Sequence, residues 1–433
     1  MKRIITLIVW LLSVPSLMMA QRSEIYSRNI ATLQVVAGTD WQSMPITQLG
    51  GNAVHIDFDE MSHTYRRLSY RIIHCDADWQ ESQDIFESDY LQGFNGELLI
   101  DDTEQSINTN HLYTHYHLSI PNENVRLTMS GNYKVVVYDD NADSNTDDNA
   151  ILSACFMVVD PKVDIAMRYD SNTDIDVNRS HQQVSFKLNY KPQGNTQLQG
   201  RTSPSSSMQQ GIRVSDPAQQ IKTVVLQNGR WDNAVFNPKP DYVSADGLQW
   251  LHCKQLIFPA GNVYRKFELL DLDHPTMGVD EIRWDGKQYH AFVMPDEPRP
   301  SYVHDVSAQG SYYVRNSDNI DNSFTCDYAL VHFTLKAPKQ ASEVYINGDW
   351  TQDRFLPQYL MRYDDADKCY HASLLLKQGY YSYQYLLLKE DDSTQPLASE
   401  GCFAQAENKY DVLVYYRGRG ERADQLVGWK SVK

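Results

Sequence analysis

Positive charge is what this chain has least of. Lys and Arg number 39 against 56 Asp and Glu, a net charge of −17. An acidic chain repels phosphate backbones and anionic lipid, which argues against nucleic acid and bare membrane as partners. Long apolar runs are also missing. After the first twenty residues no segment reaches the ~18 apolar residues that a membrane-spanning helix needs. C-x-x-C does not occur, which excludes zinc ribbons and thioredoxin-like redox motifs. G-x-S-x-G, H-E-x-x-H, the P-loop and G-x-G-x-x-G are absent as well. No local signature selects a nucleophile, a base or a phosphate cradle. The chain is therefore read as non-enzymatic, with no cofactor, no metal and no small-molecule substrate. Amphipathic helices are scarce, the best being a short turn within 82–91.

The start of the chain is different. Met1-Lys2-Arg3 is basic, residues 4–12 are apolar, and small and apolar residues run to Ala20 before polar Gln21-Arg22-Ser23. This reads as a cleaved secretory signal over 1–20. No cysteine stands at the junction, which argues against a lipid anchor. In an exported chain the six cysteines are allowed to form disulfides. Their spacing is wide, and Cys369 with Cys402 is the first pair to consider because both lie in the last third. Cys155 lies inside an apolar run, 152–159, and reads as a free core thiol.

Tyrosine is abundant at 28 residues, which suits strands with one buried and one wet face. Strand-like runs dominate, among them 54–58, 68–73, 112–120, 132–138, 152–159, 184–190, 221–227 and 251–257. Turn residues such as Ser130-Gly131-Asn132, Asn228-Gly229 and Asp285-Gly286 separate them. The fold class expected is all-β: three consecutive antiparallel β-sandwiches after the signal. Asp160-Pro161 and the proline-rich joint 294–300 set the divisions at 24–160, 161–300 and 301–433. Residues 200–219, rich in Ser, Gln and Pro, read as a loop.

Two stretches invite chemistry. His74-Cys75-Asp76-Ala77-Asp78-Trp79 ends the strand 68–73 in an acidic, aromatic corner. His74, Asp76 and Asp78 could hold a metal, or the two carboxylates could divide acid and base roles. A strand-end turn with carboxylates capping backbone N–H groups is the simpler reading. The acidic run 139–149 has oxygen ligands at alternate positions. It lacks the glycine and closing glutamate of an EF-hand, and reads as a solvated hairpin loop. Trp79, Trp231, Trp284 and Trp350 stand near turns, as sugar or protein platforms or as corner packing.

Two resemblances follow from motifs. Val344-Tyr345-Ile346-Asn347-Gly348-Asp349-Trp350, followed by Gly379-Tyr380-Tyr381-Ser382-Tyr383, resembles the early-set sandwich of glycogen-binding modules. This implies a sandwich for the last part, and as an alternative function an exported carbohydrate-binding protein. Three further blocks act in combination: Tyr70 to Trp79 with Tyr90-Leu91 and Gly93-Phe94; Ser106-Ile107-Asn108-Thr109, Tyr113-Thr114-His115-Tyr116, Ile120-Pro121-Asn122 and Ser130-Gly131-Asn132-Tyr133; and Tyr410 to Arg417. Together they resemble the plug protein family of the type IX secretion system. The resemblance implies a periplasmic all-β protein without catalysis. It implies docking on the giant outer-membrane β-barrel translocon, sealing its pore while no substrate passes. Asp76, Asp78 and Trp79 are the residues we single out as a surface contact.

Overall fold

The computed structural model describes residues 23–93, 98–140, 149–191, 211–318 and 322–433. The expected signal 1–20, residues 141–148 of the acidic run, residues 200–210 of the expected loop and Phe94 lie outside them. The described chain is all-β, as expected, with mostly antiparallel sheets, two parallel strand pairs and only short helical turns, one of them Glu87–Tyr90.

The first sandwich forms from the N-terminal residues. One sheet orders Glu24–Ile25, Ala150–Val159, Gly131–Asp139, Leu68–Cys75 and Leu98–Leu99, with Ile46–Gln48 added in parallel to Ala150–Val159. The other orders Ile30–Ala37, Val54–Glu60, Thr114–Ile120 and Asp102–Gln105. Alternation puts Val54, Ile56 and Phe58 from the second sheet against Tyr70, Ile72, Tyr133 and Val135 from the first.

The expected division at 300 does not follow the sheets. Tyr410–Tyr416 pairs with Ile221–Gln227 along its full length and with Gln425–Val432 on its other side. The last two strands of the chain thus complete the middle sandwich, facing the sheet built on Asp164–Asp170, His181–Asn189 and Gly247–Trp250. In return, Arg265–Leu269, Val279–Trp284 and Tyr289–Val293 leave the middle segment. They join the sheet that carries Tyr328–Leu335, Glu343–Asn347, Cys369–Lys377 and Gly379–Leu388. The physical reason is burial on two faces. Tyr410, Val412 and Val414 face one core, while Leu413 and Tyr415 face another. Such a strand is stable only where both faces are covered.

Two further expectations change. The run 251–257 is not a strand. The Asp241 carboxylate accepts from the N–H groups of Leu251 and His252 at 2.7 and 2.9 Å, and residues Lys254–Leu256 turn as a 3-10 helix. Cys369 and Cys402 are not joined, and no two of the six cysteines form a disulfide. The Cys402 thiol instead donates to the Ser180 carbonyl at 2.9 Å, and Cys155 is buried as expected.

Candidate functional site

The corner after Leu68–Cys75 lies inside the molecule. Asp76 and Gln80 close it through an N–H to carbonyl bond of 2.9 Å, and the Trp79 N–H returns to the Asp76 carbonyl at 2.9 Å. Trp79 adopts a left-handed backbone with φ 64°, a conformation that a bulky residue holds only under outside constraint. The constraint is burial. The ring is 1% exposed and meets the edge of Trp231 at 5.6 Å. Around it, Cys155, Met157 and Val159 of the first sandwich face Val224, Leu226, Leu413 and Tyr415 of the middle one. The corner is the joint between two sandwiches.

Charge closes the same joint. Asp76 pairs with Arg417 at 2.6 Å, and its other oxygen accepts from Ser82 Oγ at 2.9 Å and from the Asp424 N–H at 3.0 Å. Asp424 takes Arg417 Nε at 2.9 Å, Lys222 Nζ at 2.7 Å and the Ala77 N–H at 3.0 Å. Burial pushes the Asp76 carboxyl up, but these donors outweigh it and hold it below its ordinary range. His74 is buried, with Nδ1 on Ser82 Oγ at 2.9 Å and Nε2 on the Ser130 carbonyl at 3.2 Å; burial lowers its pKa. Gly131 makes room for that ring, because a Cβ there would lie 2.2 Å from Nε2.

The structure therefore separates the three singled-out residues. Trp79 is buried, Asp76 is half-buried in an ion pair, and Asp78 is exposed and caps the Gln80 N–H at 3.2 Å. With its ring in the joint, Trp79 offers no surface to a partner; its large apolar area is spent on Trp231. The metal and acid–base readings find their groups already engaged, since His74 and Asp76 are tied to Ser82, Arg417 and Asp424. Among the described residues no three His, Cys, Asp or Glu side chains are grouped to hold a metal. Of the other platform candidates Trp231 and Trp350 are buried, Trp350 donating to the Ser382 carbonyl at 3.0 Å, and Trp284 is about half exposed.

A second assembly escaped sequence reasoning. Asp59 and Lys377 form an ion pair of 2.5 Å with both side chains 1% exposed. His115 donates to Asp59 at 2.7 Å, Tyr328 OH to Asp59 at 2.6 Å, and His117 to Asp57 at 2.6 Å. Lys377 Nζ also lies 4.1 Å from the centre of the Tyr113 ring. Burial lowers the His115 imidazole, but hydrogen bonds to Asp57 and Asp59 and the Asp59 charge outweigh it and lift it to about 9. This network ties the first sandwich to the sheet that carries Tyr328–Leu335 and Cys369–Lys377. Its signal was present: Asp57 and Asp59 alternate on one strand, and His117 and His115 stand opposite them in register. Lys377, 318 residues away from Asp59, had no such signal.

The third feature is a cleft where all three sheet systems meet. It encloses about 130 Å³ and is lined by Trp41, Trp231, Gln309, Asp349, Asp353 and Lys409 among others.

Comparison with known proteins agrees with this architecture. Residues 30–160 match the family described as Type 9 secretion system plug protein 1st domain, the span of the first sandwich. No curated protein matches the chain. Among solved structures, a hypothetical protein from Parabacteroides merdae ATCC 43184 superposes with a TM-score of 0.86 at 35% identity, covering 95% of this chain and 98% of that one. With a match to the first plug domain and a structural relative along nearly its whole length, this chain belongs to the type 9 secretion system plug protein family.

Proposed function

We propose that the protein is a non-enzymatic periplasmic plug. It docks at the periplasmic opening of the giant outer-membrane β-barrel translocon of type IX secretion and seals it while no substrate is passing. The observation that carries the proposal is family membership through the first sandwich. The architecture supports it. A stopper needs bulk, a fixed shape and a broad complementary surface, not a reaction centre. Two buried joints, around Trp79 and around Asp59, couple the three sheet systems into one body. The carbohydrate alternative rested on the Gly348-Asp349-Trp350 turn, whose indole is buried and bonded internally.

The test is affinity purification of the tagged full chain from solubilised outer membrane of its own cells. The proposal expects a large β-barrel to come with it in stoichiometric amount. Recovery of the chain as a free monomer from cells that contain the translocon would refute it.

A further inference from the structure

The Gly348-Asp349-Trp350 turn has a use that sugar recognition does not explain. While Trp350 turns inward, Asp349 opens into the three-way cleft. Ser311 Oγ donates to its Oδ2 at 2.7 Å; among the described residues no donor reaches Oδ1. Gln309, 7% exposed, lines the same cleft. Its amide oxygen also meets no donor among the described residues, and its Nε2 reaches only the Glu407 carbonyl at 3.5 Å. Asp353 stands beside them, held by Asn347 at 3.0 Å. Arg230 does not answer these acceptors, since it is closed on Asp232, with both side chains buried. Lys409 is the cleft's other cation. It makes no ion pair within 4.0 Å with Asp349, and its Nζ lies 3.4 Å from the Gln42 carbonyl. Trp41 supplies an aromatic wall, itself braced by Tyr313 and Tyr380 at 5.4 and 5.8 Å.

We infer that this cleft is a socket for one basic side chain, an arginine or lysine presented by a peptide segment of a partner protein. Three observations select that occupant. The unanswered oxygens, Asp349 Oδ1 and the Gln309 amide oxygen, are acceptors, so a ligand that answers them must donate. The volume is well below the roughly 300–1,000 Å³ of sites that enclose a whole small molecule, so it takes the tip of a side chain. Only two carboxylates converge, too few for an all-protein cage around a divalent cation, whereas a guanidinium is satisfied by one carboxylate, an amide oxygen and an aromatic face. Enclosure by the cleft walls, and then Asp353, push the Asp349 carboxyl up, against the Ser311 hydrogen bond and the Lys409 charge, which lower it. The inference is independent of what the partner is and stands apart from pore sealing.

The test titrates the capped peptide Gly-Arg-Gly into the full chain by calorimetry, with Gly-citrulline-Gly and calcium chloride as comparisons. The wild-type chain is expected to bind the arginine peptide saturably. Asp349→Asn, Trp41→Leu, and the citrulline peptide on wild type should each weaken binding, by about tenfold for the loss of charge. Circular dichroism melts establish that both variants fold. No binding by the wild type, or equal binding by Asp349→Asn and by the citrulline peptide, would overturn the socket. So would calcium binding that is lost in Asp349→Asn, which would make the cleft a metal site.

Discussion

At the scale of single residues, the molecule concentrates its risk in a few buried groups. Asp59 is fully enclosed, and Lys377 is its nearest cation. Burial raises its carboxyl, and the Lys377 and His115 charges more than reverse that. Lys377→Met removes one of the two cations on the buried Asp59 carboxylate, leaving His115, and should destabilise the protein by about 3–5 kcal/mol in urea unfolding. His115 adds a pH signature. Its folded pKa of about 9 exceeds the 6.5 of the exposed group, so its stabilisation is complete below pH 6.5 and drains as pH rises towards 9. Stability measured across that window should fall by at most roughly 3 kcal/mol, and His115→Gln should flatten the slope. Trp79 and Asp78 make a contrast. Trp79→Ala empties the joint against Trp231 and should cost about 3–5 kcal/mol. Asp78→Ala removes one exposed cap and should stay within about 0.5 kcal/mol.

At the scale of elements, strands with two buried faces explain both what the sequence revealed and what it hid. The run 152–159 was legible as a buried strand because it is apolar at nearly every position. Its alternate residues feed two cores: Leu152, Ala154, Phe156 and Val158 one, Cys155, Met157 and Val159 the other. The turn at Asp76 was legible from its residue types, and its closing bonds are those a strand end needs. That the same corner faces inward was not legible. Its covering residues, Trp231 and Arg417, lie more than 150 positions away, and periodicity reports which face is apolar, never what covers it. The division at 300 failed for the same reason: the proline-rich joint is real chain chemistry, but Tyr410–Tyr416 returns across it to Ile221–Gln227. Deleting residues 409–433 should therefore uncover cores in the first and middle sandwiches alike. Limited proteolysis should then cut within Ile221–Gln227 and in the exposed joint around Trp79, sites protected in the full chain.

At the scale of the whole molecule, the interlocked sheets suit the plug role proposed above, in which the protein acts by occupying space. The net charge of −17 disfavours contact with nucleic acid and anionic lipid. Strands exchanged between sandwiches, and ion pairs set in the joints, resist hinge motion between them, which the proposed plug requires. The most direct test of sealing is ionic conductance through the purified translocon in a planar bilayer, with this protein added to and then removed from the periplasmic side. The account predicts that conductance falls to near the bilayer baseline on addition and returns on removal. Conductance that stays high while the protein is demonstrably bound would contradict it.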